Sequence, residues 1–510
     1  MPHSLLLDRI ARLYAEKTRR HAKRNDVPNL NERLRNLLRD AIINNDIPKG
    51  TTLPPTRKLS ENLDLSRSTV IKAYENLKLE GYVESVQGAG YRVKDLTQPT
   101  ESIDTQETEA HNYVELSEIA KSFSKNVSLI NSTDDQSIAF RPGLPPLDVF
   151  PVNQWKNLSN GYWRYIKSSA LTYSPSAGIE LLKQNIASYL NLSRGIKCDP
   201  RQILIVSGSL QSLYLIGSVV LDPGDETIME NPTFPNVHSI FDGLRSRITG
   251  GRVDEQGMVV SELNQNKKAK PKLIHVTPSS HYPKGVRMSI ERRKELLTYA
   301  SEKGAYIIEN DYEHEVHNYG DKTPPIFALD DEHRTIYLST FNRILHPSIR
   351  IGYMVVPPQL LDATEALLKH SHRFVPPSVQ VVLNQFIEKN YLHAHVRNVV
   401  TAAEERKAIF EDHFNQLLSG TFRLIPNQTR SLHVMAEITT HHTDKRVAEE
   451  LAKNNIIVHT YSKCHLGKSV QQGIIMGYSS VRPPVIRRKL EDMQRILKNL
   501  DRIIGSTNKR

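Results

Sequence analysis

Apolar residues recur at helical spacing in the first part of the chain and give way to short β-like runs further on. Leu34, Leu37, Leu38, Ala41 and Ile42 follow i, i+3, i+4, i+7, i+8, one face of a helix, with Asn29 or Asn31 before it as cap. Pro48, Lys49 and Gly50 turn the chain, and a short helix is expected over 57–63. After Asp64-Leu65-Ser66 a further helix runs from about 67 to 80, capped by Ser66 and closed by Gly81, with Val70, Ala73, Tyr74 and Leu77 on one side. Residues 82–86 and 91–93 flank the glycine-rich turn Gln87-Gly88-Ala89-Gly90 and read as a two-stranded hairpin. Three helices and a hairpin predict a winged helix-turn-helix (α+β). Upstream, 5–24 predicts a basic amphipathic helix with Leu6, Ile10, Leu13 and Tyr14 on one face, ended by Pro28. It suits either packing on a neighbour or contact with DNA.

Residues 95–136 lose this periodicity and contain Pro99 and a cluster of threonines, the composition of a flexible linker with one short helix near 115–123. From 137 the pattern changes. Runs such as Ile203-Leu204-Ile205-Val206, Leu273-Ile274-His275-Val276 and Tyr306-Ile307-Ile308 alternate with helical stretches, which predicts an α/β unit on a mostly parallel sheet. After about 385 a long helix near 390–417 and then short strands indicate a smaller α+β subdomain. The expected division is therefore 1–28 a basic extension, 29–94 the winged helix, 95–136 the linker, and 137–510 the α/β unit, its small subdomain mainly 385–510.

Charge sharpens the division. The 510 residues carry a net +11; residues 1–94 hold 18 Lys and Arg against 11 Asp and Glu, whereas 95–140 hold 2 against 9. A basic module followed by an acidic stretch points to nucleic acid as partner. No run of 18 apolar residues and no signal-peptide core is present, so membrane insertion is not expected. Cys198 and Cys464 are far apart and in no ligand spacing, which argues against a disulfide framework or a metal site and for a reducing cytoplasm.

A helix-turn-helix sets its second helix in the major groove. The first turn of that helix is Arg67-Ser68-Thr69, preceded by Ser66: one long cation and short hydroxyls that suit base edges and phosphates. Arg57 lies on the preceding helix, where it can reach the groove edge or pair with Glu61, and Gln87 and Gly88 form the tip of the wing. The motif L-P-x-x-R-x-L, then S-R-x-T-V, A-Y, E-G-Y and G-x-G, running from Pro48 to Val93, resembles the GntR family of bacterial regulators. The resemblance implies that Arg57, Arg67, Ser68, Thr69 and Gly88 contact operator DNA.

In the second half, Ser207-Gly208-Ser209 follows a strand and opens a helix, an arrangement that can cradle a phosphate. The segments FRPGLPPLDVFPVNQW, YSPSAGIELLKQNIASYL, LDPGDETIMENPTFP, HVTPSSHYPKGVRMSIERRKELL, YIIENDYEHEV and STFNRILHPSIRIGYMVVP resemble, in order and spacing, fold-type I aminotransferases in the form fused to GntR domains, the MocR/GabR family. That likeness implies a pyridoxal-phosphate site: Ser207, Gly208, Ser209, Thr340 and Arg350 as phosphate cup, Tyr312 toward the ring hydroxyl, and Phe234 stacked on the ring. The departures fall on the chemistry. The family's Schiff-base lysine falls on Arg343, whose guanidinium stays protonated and forms no aldimine. The carboxylate facing the pyridine nitrogen falls on Asn310, while Asp311 next to it is expected to turn the other way; the substrate-binding arginine falls on Ile475. No catalytic residue or covalent cofactor is therefore expected, although the phosphate cup leaves room for non-covalent pyridoxal 5′-phosphate. The resemblance further implies a homodimer that binds double-stranded operator DNA and responds to a small-molecule effector. Two rivals stand beside this reading: an active aminotransferase with an appended DNA-binding domain, and a regulator whose large unit is a scaffold without ligand.

Overall fold

A computed structural model describes residues 3–21, 29–86, 90–95, 114–129, 139–321, 323–467 and 471–507. The chain divides into two compact units, Met1–Val114 and Glu115–Arg510.

In the first unit, helices α1 (His3–His21), α2 (Leu30–Ile43), α3 (Thr56–Leu63) and α4 (Arg67–Leu79) enclose one core. The apolar faces expected of α2 and α4 are buried as the periodicity requires: Leu34, Leu37, Leu38, Ala41 and Ile42 on one, Val70, Ala73, Tyr74 and Leu77 on the other. Strands β1 (Val83–Val86) and β2 (Gly90–Val93) pair antiparallel, and a bridge from Thr52 to Arg92 ties the hairpin to the segment before α3. Tyr74 fixes the junction: its hydroxyl donates to the Pro54 carbonyl at 2.9 Å, and its ring meets Tyr91 edge-on at 5.2 Å. One boundary changes. Leu6 and Ile10 of α1 are fully buried in this core, so the N-terminal helix belongs to the winged-helix unit and is no separate extension. Residues 22–28 and the wing tip at Gln87 and Gly88 lie outside the described residues.

The linker expectation also needs correction at its end. Helix α5 (Glu118–Asn126) is part of the second unit: Phe123 packs onto Gly243, and Ser122 donates to the Asp242 carbonyl at 2.8 Å. Phe123 and the face around it bury apolar area that composition alone hid beneath the acidic average. Residues 96–113 and 130–138 lie outside the described set.

The second unit is built on an eight-stranded sheet of β3 (Ile203–Val206), β4 (Glu226–Asn231), β5 (Arg247–Asp254), β6 (Gly257–Met258), β7 (Pro271–Val276), β8 (Tyr306–Asn310), β9 (Thr335–Thr340) and β10 (Gly352–Val355). Their order is β3-β10-β9-β8-β7-β4-β5-β6. The central pairs from β5 to β9 are parallel, as the βα alternation implies, and β4, β7, β8 and β9 read as nearly continuous buried runs. β10 runs antiparallel to both β3 and β9, so the start of β10 meets the ends of its two neighbours. A smaller antiparallel sheet joins β11 (Phe422–Ile425), β12 (His433–Ile438), β13 (His459–Thr460) and β14 (Gly473–Gly477) in the order β11-β12-β14-β13, after the long helix Tyr391–Leu418. Residues 139–142 lie against this sheet: the Gly477 amide donates to the Phe140 carbonyl at 2.8 Å and the Ile457 amide to Ala139 at 2.9 Å.

Candidate functional site

Two places gather the residues singled out from the sequence, one in each unit. In the first unit, the turn before α4 leaves Ser66, Arg67 and Ser68 exposed while Val70 anchors the helix beneath them. Ser66 caps the helix: its hydroxyl accepts from the Thr69 amide at 3.1 Å and lies 2.8 Å and 2.7 Å from the Ser68 and Thr69 hydroxyls. Such a cap contributes about 1 kcal/mol and presents a cluster of hydroxyls at the positive end of the helix dipole. Arg67 makes no ion pair among the described residues, whereas Arg57 rests on Glu61 at 3.2 Å with both side chains largely in solvent. An exposed pair of this kind is weak and yields readily to a phosphate.

In the second unit, a cavity of about 370 Å³ lies beyond the C-terminal ends of the parallel strands. Register explains what converges there. Gly352 stands opposite both Val206 and Thr340, so Ser207, Thr340 and the Arg350 turn adjoin at one end of β10. The approach is close: a Cβ on Gly352 would fall 2.8 Å from the Ser339 carbonyl oxygen and 3.1 Å from Cα of Gly208. Gly208 itself has φ +128 and opens the helix Ser209–Val220. The Ser209 hydroxyl at this helix start is buried without a hydrogen-bond partner, and Arg350 occupies the left-handed region at φ +50. A helix N-terminus, hydroxyls and one guanidinium arranged this way can hold an anion.

The other end of the cavity is formed by residues that follow β4, β8 and β9. Arg343 ends the short turn Phe341–Arg343, and its guanidinium lies 5.9 Å from the Phe234 ring and 5.7 Å from that of Tyr312. It fills the space that a side chain on Gly143 would need, and its Nη1 is 3.6 Å from Oε1 of the buried Glu313. Asn310, at the end of β8, lines the cavity with Nδ2 at 3.2 Å from Nε2 of His275; its Oδ1 has no partner. Asp311 faces away, paired with Arg194 at 2.9 Å and accepting from the Tyr337 hydroxyl at 2.9 Å. Tyr312 donates to the Ser280 carbonyl at 3.3 Å. Ile475 is fully buried among Tyr282, Tyr312, Met435, Tyr461 and Cys464, adjacent to the cavity but not lining it.

Charge in the cavity has one sign. Arg141, Arg343 and Arg350 line it, and neither a carboxylate nor a lysine does so among the described residues. Burial, followed by the charges of Arg343 and Arg141, pushes the His459 imidazole down to about 3. Burial works against the charged form of Glu313, but the bond to His317 and the nearby Arg343 outweigh it and hold the carboxyl down to about 2. Glu313 thus balances Arg343 from behind the wall while the cavity face remains cationic.

The GntR family model, described as bacterial regulatory proteins, matches residues 30–93, and the model for aminotransferase class I and II matches 147–474. The chain is 30% identical over 473 residues, 92% of its length and 94% of the relative's, to the "Probable rhizopine catabolism regulatory protein MocR" of Rhizobium meliloti. The chain belongs to the MocR-type family. This MocR-type chain is also 27% identical, over 91% of its length and 94% of the relative's, to the HTH-type pyridoxine biosynthesis transcriptional regulator PdxR of Corynebacterium glutamicum. Solved aminotransferases share its fold. LysN of Thermus thermophilus, an α-aminoadipate aminotransferase, superimposes with a TM-score of 0.67 at 21% identity, over 76% of this chain and 100% of that one. Pyrococcus horikoshii kynurenine aminotransferase gives 0.65 at 24%, over 78% and 98%.

The structure brings Ser207, Gly208, Ser209, Phe234, Asn310, Tyr312, Thr340, Arg343 and Arg350 of the MocR-type chain to one cavity and leaves Ile475 just outside it. Sequence reasoning missed Arg141, Gly143, Asn342, Glu313 and His459. Arg141 and Gly143 sit in the FRPG segment, whose resemblance to the family assigns them no role; Asn342 accepts the Ile351 amide at 3.0 Å and packs over Gly208. Glu313 directly follows Tyr312, and its burial beside a cation is visible only in three dimensions.

The fold implies pyridoxal phosphate, and the fit is divided. The orphaned Ser209 hydroxyl, the Gly208 cradle and Arg350 suit its phosphate. With no lysine on the wall among the described residues, and an amide rather than a carboxylate at Asn310, the residues do not suit its covalent attachment or a protonated ring nitrogen.

Proposed function

We propose that this chain is a DNA-binding transcription regulator whose aminotransferase-like unit self-associates and senses a phosphate-bearing ligand without transamination. Membership of the MocR-type family, with a GntR winged helix over 30–93, supports the regulator class. The observation that carries the rest is the cavity, with Arg141, Arg343 and Arg350 on its wall and no lysine there among the described residues; the family resemblance sets Arg343 at the position of the aminotransferase lysine. A guanidinium binds anions and cannot serve as the nucleophile. Arg67, Ser66, Ser68, Thr69 and Arg57 are the DNA-contacting set at the start of α4 and on α3, and Gln87 and Gly88 complete it at the wing.

Self-association is supported by an exposed apolar stretch in the second unit, where Trp163, Tyr165, Leu171 and Tyr173 are all more than half accessible. A patch of that kind on a regulator favours a second copy of the chain, and paired DNA-reading units then match a two-part operator. Among the described residues no helix is long and apolar enough to cross a membrane. The test is operator binding measured with and without pyridoxal 5′-phosphate, alongside light scattering. A ligand-dependent change in affinity by a dimer is expected; a monomer whose DNA affinity ignores every phosphate ester would refute the proposal.

A further inference from the structure

Two of the cavity's three arginines, Arg350 and Arg343, stand at different ends, and this division defines the ligand more closely. Arg350 serves the cradle of Ser207, Ser209 and Thr340, whereas Arg343 stands between the Phe234 and Tyr312 rings. The nearest Glu313 oxygen is 3.6 Å from Arg343 Nη1, beyond hydrogen-bonding length, so that carboxylate balances the charge without occupying the guanidinium's donors. The Arg343 side chain remains about a quarter accessible, toward a wall that bears no acidic group among the described residues. Asn310, 6% exposed, lines the same space, and its buried Oδ1 has no hydrogen-bond partner. A planar guanidinium held between two aromatic rings matches a carboxylate with two parallel hydrogen bonds, a geometry that an aldehyde or alcohol cannot use.

We propose that the cavity selects an organic phosphate that also bears a carboxylate on a planar ring: the phosphate in the Ser207–Ser209 cradle with Arg350, the carboxylate on Arg343, and a polar edge of the ring at Asn310. The proposal rests on the ligand-sensing reading above. It makes Arg343 a specificity-determining residue for an oxidised, acidic ring compound, where a lysine would have selected an aldehyde.

The test is calorimetric titration of the full-length protein with four probes: inorganic phosphate, pyridoxine 5′-phosphate, pyridoxal 5′-phosphate and 4-pyridoxic acid 5′-phosphate. The three esters differ at a single ring substituent. The acid is expected to bind at least about tenfold more tightly than the alcohol, the worth of one charge-assisted hydrogen bond. Arg343→Met should bring the acid-over-alcohol affinity ratio down to about one, and Arg343→Lys should keep part of it. The wild-type preference needs no variant, so a misfolded substitution does not blunt the test. Equal binding of the three esters, or tightest binding of the aldehyde, overturns the selectivity and leaves ligand sensing standing. Failure of every phosphate probe to bind overturns both.

Discussion

The two ends of the cavity are built from different material. The phosphate end is positioned by backbone, which sets the Ser207, Ser209 and Thr340 hydroxyls and Arg350 in place: the register of β10 against β3 and β9, the start of the helix Ser209–Val220, and glycines 208 and 352 pressed against neighbouring main chain. The ring end depends on two side chains, at 310 and 343. Backbone features of this kind also hold the sheet together, so a change there damages the fold. Asn310 and Arg343, by contrast, alter the chemistry and leave the architecture in place. On the proposed reading, binding and catalysis are separable in this scaffold, and residues 310 and 343 are where they separate.

The sharpest way to break the comparison is to convert the ring end back. Arg343→Lys with Asn310→Asp should gain a borohydride-fixable pyridoxal-phosphate adduct on residue 343, an all-or-none change seen by mass spectrometry. Transaminase turnover is not expected to return with it, because Ile475 offers a substrate carboxylate no partner. Absence of any adduct would mean that the ring end differs by more than these side chains.

Acid should affect the second unit next most strongly. Burial drives His275, His281 and His459 down to about 3 and His314 and His433 to about 4, while it raises Glu230 and Glu309 to about 7 and Glu315 to about 8. Imidazoles with depressed values contribute stability above the unfolded value of about 6.5 and lose it as pH falls toward 3–4. The raised carboxyls contribute stability below about 4.5 and lose it as pH rises through 7–8. Because the imidazoles outnumber the carboxyls, the melting temperature of this unit should peak near about pH 6.5 and fall on both sides, more steeply in acid. A melting temperature that rises steadily from pH 6 to pH 4 would contradict this assignment.

Arg350→Ala should weaken binding of a phosphate ester about ten- to a hundredfold, as expected for a charged hydrogen bond, with little effect on the melting temperature. Loss of fold without loss of affinity in the residual native protein would remove Arg350 from the cradle. In the first unit, Arg67→Ala should cost about 1–3 kcal/mol of operator affinity, and Arg57→Ala the same or less because Glu61 already holds it. Unchanged DNA affinity in both variants would exclude α4 as the reading helix.

The sequence made the two folds legible because period and motif agree in each. The α2 and α4 faces obey helical spacing, and the apolar runs at β3, β7 and β8 mark buried strands of the sheet. What it concealed lies in long-range packing. The buried face of α1, with Leu6 and Ile10, resembles any basic amphipathic helix until its neighbour is known. The contact of α5 with Gly243 sits within a stretch whose average composition is that of a linker. At the cavity, motif spacing placed the strand-end residues, but Arg141 and His459 reach it from the segment that follows α5 and from the small sheet, distances that no local pattern encodes.

The central claim is that the cavity binds without forming a covalent bond. Its most direct test is to incubate the wild-type protein with pyridoxal 5′-phosphate, reduce with borohydride, and determine the intact mass and the modified peptide. The account predicts saturable binding before reduction and no phosphopyridoxyl group on any cavity residue afterwards. A stoichiometric adduct within the cavity would contradict it and restore the aminotransferase reading.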